Sequence, residues 1–423
     1  MPAIPSALVS PPLTARPLRC RFCRTEYAPA PVAICEQCLG PLDPVYDPHR
    51  SLPDPATIAR RAPSLWRYKE WLPFDGHPVW SLDTGFTPLL DAPALARRLG
   101  VGRVWVKNDT VCHPSLSFKD RVVAAAINAA AALGLDTIGC ASTGNLANAV
   151  AAHAARAGLK AWIFIPEELE AGKVIATSIH GARVVRIRGT YDDVNRLCAQ
   201  VADRFGWGIV NVNLRGYYGE GSKTVAYEIA EQLGWRLPTA VVAPMAGGSL
   251  LTKLRKGFGE FLQAGLVGEG PLPRLYGTQA AGCAPIVRLL ERGNDAIEPE
   301  VPHTVCRSLA IGNPADGLFA ARAMRETGGW AAAVSDAELV AGIRCLAEDV
   351  GVFAETAGGV TVAGALALAQ AHRLRADDEV VLCVTGHGLK TFEVVQDAAS
   401  EAPAVAPRLR DVAALVEQSA LNT

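Results

Sequence analysis

The chain has 423 residues, of which half are hydrophobic and a fifth are charged, and its formal net charge is −1. This length exceeds what one hydrophobic core usually serves, so we expect two core domains with small additions. The balanced charge gives no electrostatic reason to expect nucleic acid or an anionic membrane as a partner. No apolar run is long enough to span a bilayer, and the first residues lack the features of a signal peptide. A cytoplasmic protein is therefore expected.

Two CxxC pairs stand near the start of the chain, separated by 11 residues. Each pair can place two thiolates on one face of a tetrahedral metal, so together they predict a structural Zn²⁺ site. The four predicted ligands are Cys20, Cys23, Cys35 and Cys38. Two pairs of free thiols are the alternative, and a nucleic-acid-binding ribbon is disfavoured by the net charge. The other seven cysteines stand singly in apolar stretches and are expected to be small buried hydrophobes.

Short β-branched runs alternate with helical stretches from about residue 100 onwards. This alternation predicts an α/β fold of two parallel-sheet domains with helices on both faces, preceded by a small zinc-ribbon-like N-terminal module. The predicted strands span residues 103–107, 137–141, 161–165, 183–187, 209–212, 240–243, 274–279 and 379–385. The predicted helices span residues 120–133, 146–157 and 250–261, with a further helix starting near Tyr191.

The expected domains follow the chain in five segments. Residues 1–45 form the four-cysteine module, and residues 46–110 form a connector with a short helix and the first part of a large domain. Residues 111–228 form a small α/β domain, residues 229–400 complete the large domain, and residues 401–423 form a peripheral tail with a helix.

Three glycine-containing turns follow predicted strands at the point where each strand ends. They are Ser-Thr-Gly-Asn at 142–145, Ala-Gly-Gly-Ser at 246–249 and Thr-Gly-His-Gly at 385–388, and each is predicted to open a helix. Unpaired backbone N–H groups and the helix dipole suit such a turn to an anion, although glycine can also serve a tight bend alone. Because ligands of open α/β sheets bind at the carboxyl ends of strands, the three turns together indicate a shared ligand site.

Lys119 lies in the segment Ser-Phe-Lys-Asp-Arg at 117–121, at the start of an alanine-rich helix. A lysine that is partly shielded from water at a helix N-terminus can lose its proton and form an imine, whereas most lysines at helix starts are simply exposed. The chain has no GxxxxGK segment followed by Ser or Thr and no complete dinucleotide fingerprint. A lysine followed by glycine turns therefore predicts a covalently held, phosphate-bearing cofactor, pyridoxal 5'-phosphate (PLP).

These residues resemble the fold-type II family of PLP enzymes, the tryptophan synthase β-like group, and within it the threonine synthases. The similarity runs from about residue 84 to residue 392. It rests on residues 85–89, 117–121, 141–145, 220–224, 245–249, 355–359 and 385–390. A cysteine ribbon ahead of this body is also seen in some threonine synthases.

The resemblance implies a cofactor role for three side chains and a stretch of backbone. Lys119 would hold PLP as an imine and later move protons, Asn145 would hydrogen-bond its phenolic oxygen, and Thr385 would lie by its pyridine nitrogen. One departure from the family pattern is His387, where a small polar residue is expected. The cofactor phosphate would be bound by the backbone N–H groups of Gly247, Gly248 and Ser249.

The resemblance also implies two sites for the ends of an amino-acid substrate. The substrate carboxylate would be received by Ser142, Thr143 and the Gly144 amide. A second anion pocket would hold a substrate phosphate, because charge-assisted hydrogen bonds suit a dianion. The candidates for that pocket are Arg121, Arg215, Ser222 and Lys223.

The implied activity is that of a PLP-dependent lyase that acts on a small molecule. A threonine synthase converts O-phospho-L-homoserine and water to L-threonine and phosphate, by γ-elimination and β-addition of water. The alternatives are a cysteate synthase-like or threonine dehydratase-like enzyme, or a PLP-binding relative without activity. The cysteine ribbon favours the two synthases over the dehydratases. The resemblance further implies a homodimer.

Overall fold

Two parallel sheets form the body of the protein, and a small antiparallel sheet stands ahead of them. The computed structural model describes residues 13–142, 144–167, 171–189, 191–398 and 402–421. The strands of these ranges are β1 (Thr14–Ala15), β2 (Leu18–Cys20), β3 (Glu26–Tyr27), β4 (Leu42–Pro44), β5 (Phe74–Asp75), β6 (Leu89–Asp91), β7 (Arg103–Asn108), β8 (Thr137–Ala141), β9 (Lys160–Pro166), β10 (Arg183–Ile187), β11 (Gly208–Ile209), β12 (Ala240–Pro244), β13 (Arg274–Ala280), β14 (Ala331–Val334) and β15 (Glu379–Val384).

The other regular elements of the described ranges are helices. The α-helices are α1 (Pro55–Ala59), α2 (Pro93–Leu99), α3 (Lys119–Ala132), α4 (Asn145–Ala157), α5 (Ala171–Ser178), α6 (Tyr191–Phe205), α7 (Arg215–Glu220), α8 (Lys223–Gln232), α9 (Ser249–Gln263), α10 (Pro285–Arg292), α11 (Gly317–Glu326), α12 (Asp336–Val350), α13 (Thr356–Gln370) and α14 (Leu409–Leu421). Short 3₁₀ helices span Leu65–Trp71, Asp109–Val111, Ala281–Cys283, Gly388–Lys390 and Phe392–Ala398.

The larger sheet has six strands in the order β14-β13-β12-β15-β7-β6. All neighbours are parallel except β6, which runs antiparallel to β7. Side chains of β12 alternate between two cores: Val241 and Ala243 face α8 to α11, whereas Ala240 and Val242 face α2, α12 and α13. A parallel strand covered on both faces is apolar throughout, which explains the sequence of β12.

The smaller sheet has four parallel strands in the order β10-β9-β8-β11. Its Ile138 and Ile163 side chains pack on α3 and α4, and Phe164 packs on α6 from the opposite face. All four strands come from residues 137–209, whereas the larger sheet uses chain on both sides of that stretch. The domain limits given above stay a prediction.

The cysteine module is an antiparallel sheet in the order β3-β2-β4. The connector after it packs on the body through aromatic side chains, since Trp71 and Tyr68 lie against Tyr227 and Phe261. Within the described ranges, no helix combines the length and apolar character needed to cross a membrane. Of the seven single cysteines, six are buried and Cys345 is partly buried.

The predicted parallel α/β fold with helices on both faces is confirmed, two local predictions are corrected, and one strand was not predicted. The strand predicted at 209–212 ends at Ile209, because the Asn213 side chain accepts the Ile209 N–H at 2.7 Å and the chain turns. The turn at 385–388 opens no α-helix, since Gly386 and His387 form β-bridges and 3₁₀ helices follow. β14 was not predicted, because its Ala-Ala-Ala-Val sequence is typical of helix.

Candidate active site

A pocket lies at the carboxyl ends of the strands of the larger sheet, where it faces the helices of the smaller sheet. It encloses about 610 Å³ of empty space, part of it open to solvent. Its polar lining comes from Lys119, Asn145, Tyr218, Ser222, Ser249, Ser308, Glu355 and Thr385. The pocket therefore brings together the predicted lysine, the predicted amide and hydroxyl, and the 246–249 turn.

Lys119 is the first residue of α3 and projects into this pocket. Its position is fixed from behind, because the Phe118 N–H donates to the Thr385 carbonyl at 2.8 Å and Ser117 bridges Gly386. The Lys119 Nζ donates to the Tyr218 hydroxyl at 3.2 Å. Among the described residues, no carboxylate forms an ion pair with Lys119 Nζ, so the amine is held only by a neutral partner.

The 246–249 turn joins β12 to α9 along one wall of the pocket. Gly248 has φ +88°, and a Cβ there would lie 2.9 Å from the Asp316 carbonyl oxygen, so glycine is required on both counts. No described side chain caps the start of α9. Backbone N–H groups at an uncapped helix start form a site for an anion.

Asn145 and Glu355 form the opposite side of the pocket. Asn145 begins α4, and its Nδ2 donates to Glu355 Oε1 and Oε2 at 3.0 and 2.8 Å. Glu355 is 3% exposed. Burial raises the pKa of its carboxyl, while the Asn145 hydrogen bond and the charges of Lys390 and Lys119 oppose that rise. Glu355 begins the segment 355–359 that resembles the family, but the sequence does not predict its place in the pocket or that of Tyr218.

Ser142 and Gly144 lie next to Asn145 but are not part of the pocket lining. Ser142 is partly buried and its N–H donates to the Phe164 carbonyl at 3.2 Å. Its Oγ accepts the Gly144 N–H at 3.4 Å. Thr143 lies outside the described residues. The turn thus leads directly into α4 and Asn145, which does line the pocket.

Arg121 lies behind the pocket, which does not fit the expected role as a ligand of substrate phosphate. Its side chain is fully buried, with Nη2 at 2.7 Å from Asp109 Oδ1 and 2.8 Å from Glu228 Oε2. Arg121 Nη1 also binds Glu228. These two carboxylates compensate the guanidinium where water cannot reach it.

Lys223 is also directed away from the pocket and requires the same correction. Its Nζ lies 2.6 Å from Glu220 Oε2 and 3.0 Å from Glu260 Oε2, and both Lys223 and Glu220 side chains are fully buried. The Tyr46 hydroxyl accepts a further hydrogen bond from Nζ at 3.1 Å. Lys223 therefore belongs to a buried ion cluster.

The other two predicted ligands of a substrate phosphate, Ser222 and Arg215, differ in their position relative to the pocket. Ser222 lines the pocket. Arg215 does not; its Nη2 pairs with Asp316 Oδ2 at 2.6 Å and its side chain is 34% exposed. His387 is outside the lining as well, where its Nδ1 accepts the Leu389 N–H at 3.1 Å.

The four cysteines of the two CxxC pairs meet at one point of the N-terminal module. Their Sγ atoms all lie within 4.8 Å of one another. The Tyr27 hydroxyl donates to Cys35 Sγ at 3.1 Å, and this hydrogen bond lowers the pKa of the Cys35 thiol. The sulfur set has the composition and spacing of a tetrahedral thiolate site.

Comparison with known proteins shows the family to which the chain belongs. The family model for pyridoxal-phosphate-dependent enzymes matches residues 81–386. The chain therefore belongs to the family of pyridoxal-phosphate-dependent enzymes, and PLP is its cofactor.

Within that family the chain groups with the threonine synthases, which are PLP-dependent lyases. The threonine synthase of Methanosarcina acetivorans is 36% identical over 387 residues, covering 91% of this chain and 94% of the relative. That of Methanocaldococcus jannaschii is 34% identical over 389 residues, covering 90% and 95%. Among solved structures, threonine deaminase isoform 2 of Solanum lycopersicum has a TM-score of 0.60 at 23% identity over 73% of this chain and 82% of its own, which shows the shared fold.

Proposed function

We propose that this protein converts O-phospho-L-homoserine and water to L-threonine and inorganic phosphate. The observation that carries the proposal is the match to threonine synthases over nearly the full length of both chains. The pocket supports it, because a lysine amine, an anion-binding helix start and several hydrogen-bonding side chains face one cavity.

The pocket offers a partner for each polar part of PLP. Lys119 would hold the cofactor covalently, Asn145 would turn its amide from Glu355 towards the phenolic oxygen, and Thr385 would meet the pyridine nitrogen. The cofactor phosphate would lie at the start of α9, on the backbone N–H groups of Gly247, Gly248 and Ser249. Bound PLP supplies an electron sink that stabilises negative charge at the substrate α carbon.

The chain's own residues would then move protons around the substrate. The Lys119 amine is the general base for the α proton, because it is the amine in the pocket and has no carboxylate ion pair among the described residues. The Tyr218 hydroxyl, 3.2 Å from Nζ, would keep that amine oriented. The overall reaction releases phosphate from the γ carbon and adds water at the β carbon.

The substrate's two anionic ends would bind on different sides of the pocket. The turn of Ser142, Thr143 and Gly144 would take the carboxylate. Ser222 would donate to the substrate phosphate from the pocket wall. Arg215 would contribute only by exchanging its partner Asp316 for the substrate, and Arg121 and Lys223 have no part in the site.

The reaction is tested by supplying O-phospho-L-homoserine to the purified protein and measuring phosphate and L-threonine together. Equal amounts of both products are expected. Phosphate without threonine would favour an elimination enzyme, and formation of a 2-oxo acid from L-threonine would favour a dehydratase. The Lys119→Ala variant is the control for activity from contaminating enzymes.

We further infer that Cys20, Cys23, Cys35 and Cys38 hold a structural Zn²⁺. The clustering of four sulfurs within 4.8 Å supports this. Elemental analysis of freshly purified protein is expected to give one zinc per chain, and Cys38→Ser should lower it. Cys345→Ser changes a cysteine outside the cluster and should retain the metal. Absence of zinc from the wild-type protein would reject the site.

A cytoplasmic location and a homodimer complete the proposal. All eleven cysteines are free, which suits a reducing compartment. Fractionation of cells that express the protein tests the first point. Light scattering coupled to gel filtration tests the second, where a mass of one chain would reject the dimer.

A further inference from the structure

The cysteine module touches the large sheet's helices through the two residues between its first pair of cysteines, Arg21 and Phe22. Arg21 Nη1 lies 3.2 Å from Asp316 Oδ1, and its guanidinium carbon lies 3.5 Å from the ring centroid of Phe319. The Phe22 ring stacks on Phe319 with 5.2 Å between centroids. Arg21 thus forms an ion pair with Asp316, and both Arg21 and Phe22 pack on the ring of Phe319.

The fold of the module dictates the direction of these two side chains. The Arg21 N–H donates to the Pro41 carbonyl at 2.9 Å, and the Phe22 N–H points at Cys20 Sγ at 3.4 Å. A Cβ at Gly40 would lie only 2.6 Å from Phe22 Cδ2, so the turn after the second cysteine pair packs closely on the turn of the first pair. Hydrogen bonds and packing inside the module therefore hold Arg21 and Phe22 in place.

Asp316 lies directly behind the 246–249 turn of the pocket. Its N–H donates to the Gly247 carbonyl at 2.9 Å, and its own carbonyl would touch a Cβ at Gly248 at 2.9 Å. The Asp316 side chain is 8% exposed and accepts from Arg21 on one oxygen and from Arg215 at 2.6 Å on the other. Two guanidinium groups thus fix the residue whose backbone supports the turn.

A second ionic contact from the module reaches the helix that begins at the same turn. Lys253, one turn into α9, lies 2.9 Å from Asp43 of β4 and 2.6 Å from Glu220 of α7. The Lys253 side chain is 6% exposed. The module is therefore tied to both sides of the 246–249 turn, through Asp316 behind it and through α9 after it.

We propose that Arg21 and Asp316 are positioning residues through which the cysteine module sets the conformation of the 246–249 turn, and with it the affinity for the cofactor's phosphate group. This inference rests on the proposed role of that turn as the phosphate site. Ion pairs in a poorly hydrated contact are strong and directional. Loss of Arg21 leaves Asp316 with one cation fewer and frees its backbone to move with the Gly247 carbonyl.

The test compares two probes that differ only in the phosphate. The apoprotein is titrated with PLP and with pyridoxal, and binding is followed by visible absorbance. Arg21→Ala is expected to weaken PLP affinity about three- to tenfold, the usual range of coupling through a contact network, and to leave pyridoxal affinity unchanged. Arg21→Lys keeps the charge and should restore most of the affinity. Asp316→Asn should reproduce the Arg21→Ala result.

Arg19→Ala is the matched control, because Arg19 pairs with Glu26 inside the module and both are exposed. It should leave both affinities at the wild-type value. Thermal unfolding of each apoprotein checks the fold; if Arg21→Ala does not fold, Arg21→Lys and Asp316→Asn carry the comparison.

Three results would overturn the inference. They are unchanged PLP affinity in Arg21→Ala, an equal loss for PLP and pyridoxal, and a loss of the same size in Arg19→Ala. Equal affinity of the wild type for both probes would also reject the proposed role of the turn. If the protein forms no threonine but still shows an Arg21-dependent preference for PLP over pyridoxal, the proposed reaction is rejected and this inference stands.

Discussion

Lys119 and Lys223 are each the first residue of a helix, yet their surroundings are opposite. The Lys119 amine faces the pocket and donates to a neutral phenol 3.2 Å away. The Lys223 ammonium is buried between Glu220 and Glu260, at 2.6 and 3.0 Å. The comparison teaches that position at a helix start does not distinguish the two lysines. What differs is that, in the described part of the chain, two carboxylates pair with Lys223 and none with Lys119, and we predict that this difference leaves Lys119 as the reactive one.

The cluster around Lys223 holds together elements that are distant in the chain. Glu220 also binds Lys253 and Lys256, at 2.6 and 2.8 Å. Burial lowers the pKa of Lys223, while the charges of Glu220 and Glu260 oppose this. An ammonium so surrounded has a structural role, because its removal would take one cation from Glu220 and the cation paired with Glu260.

The largest expected effect is on the reactive lysine. Lys119→Ala should lower threonine formation about 1,000-fold or more, because it removes the general base, and should abolish the visible band of lysine-bound PLP. Its urea unfolding curve should stay close to that of the wild type. A visible band that survives the substitution would refute the assignment of Lys119.

The structural lysine should show the reverse pattern. Lys223→Met is expected to lower the free energy of unfolding by about 3–5 kcal/mol, the cost of breaking a buried pair, as measured by urea titration. Lys160→Met is the control, since the Lys160–Asp136 pair is exposed and should contribute little to stability. Equal stability losses in the two variants would remove the distinction between the two sites.

The buried cluster behind the pocket predicts a dependence of stability on acid. Burial would raise the pKa of Glu228, but Arg121 and Lys107 lower it to about 2 from 4.5. A lowered folded-state pKa stabilises the protein above the unfolded value, and the stabilisation is lost as pH falls through 4.5 towards 2. The full loss, reached below about pH 2, should amount to about 3 kcal/mol. About 2 kcal/mol of it falls between pH 6 and 3, so unfolding free energies measured over this range should fall less steeply for Glu228→Gln than for the wild type, by about 2 kcal/mol.

The smallest effect is expected at Ser222, next to Lys223 but directed into the pocket. Ser222→Ala should raise the KM for O-phospho-L-homoserine about tenfold, because a hydrogen bond to a charged group is lost, and should change kcat little. Ser178→Ala changes an exposed serine and serves as control. An unchanged KM in steady-state assays would exclude Ser222 from substrate binding.

The sequence predicted those features that are local and missed those that depend on partners far along the chain. β8 and β10 were predicted with their observed limits, because each is a short apolar or β-branched run bounded by turns. Asn145 and the 246–249 turn follow strand ends, so their convergence could be expected. Arg121 could not be distinguished from a pocket residue, since its partner Glu228 lies 107 positions away.

β14 and Glu355 were missed for a related reason. Three alanines in β14 favour a helix by intrinsic propensity, and only pairing with β13 makes them a strand. Glu355 precedes α13 in the segment 355–359 that resembles the family, but nothing in that segment assigns its side chain to the pocket. Its place opposite Asn145 follows from a contact across 210 positions, between the two sheets.

The order of strands in the larger sheet sets the order in which a newly made chain can fold. β15 lies between β12 and β7, so the six-stranded sheet cannot be completed until residue 384 has left the ribosome. The smaller sheet is complete by residue 209 and can form first, since domains fold as units during synthesis. The pocket takes Lys119 from α3 and Thr385 from the chain after β15, so its lining is complete only once residue 385 has been made. We therefore expect cofactor binding to follow synthesis of nearly the whole chain.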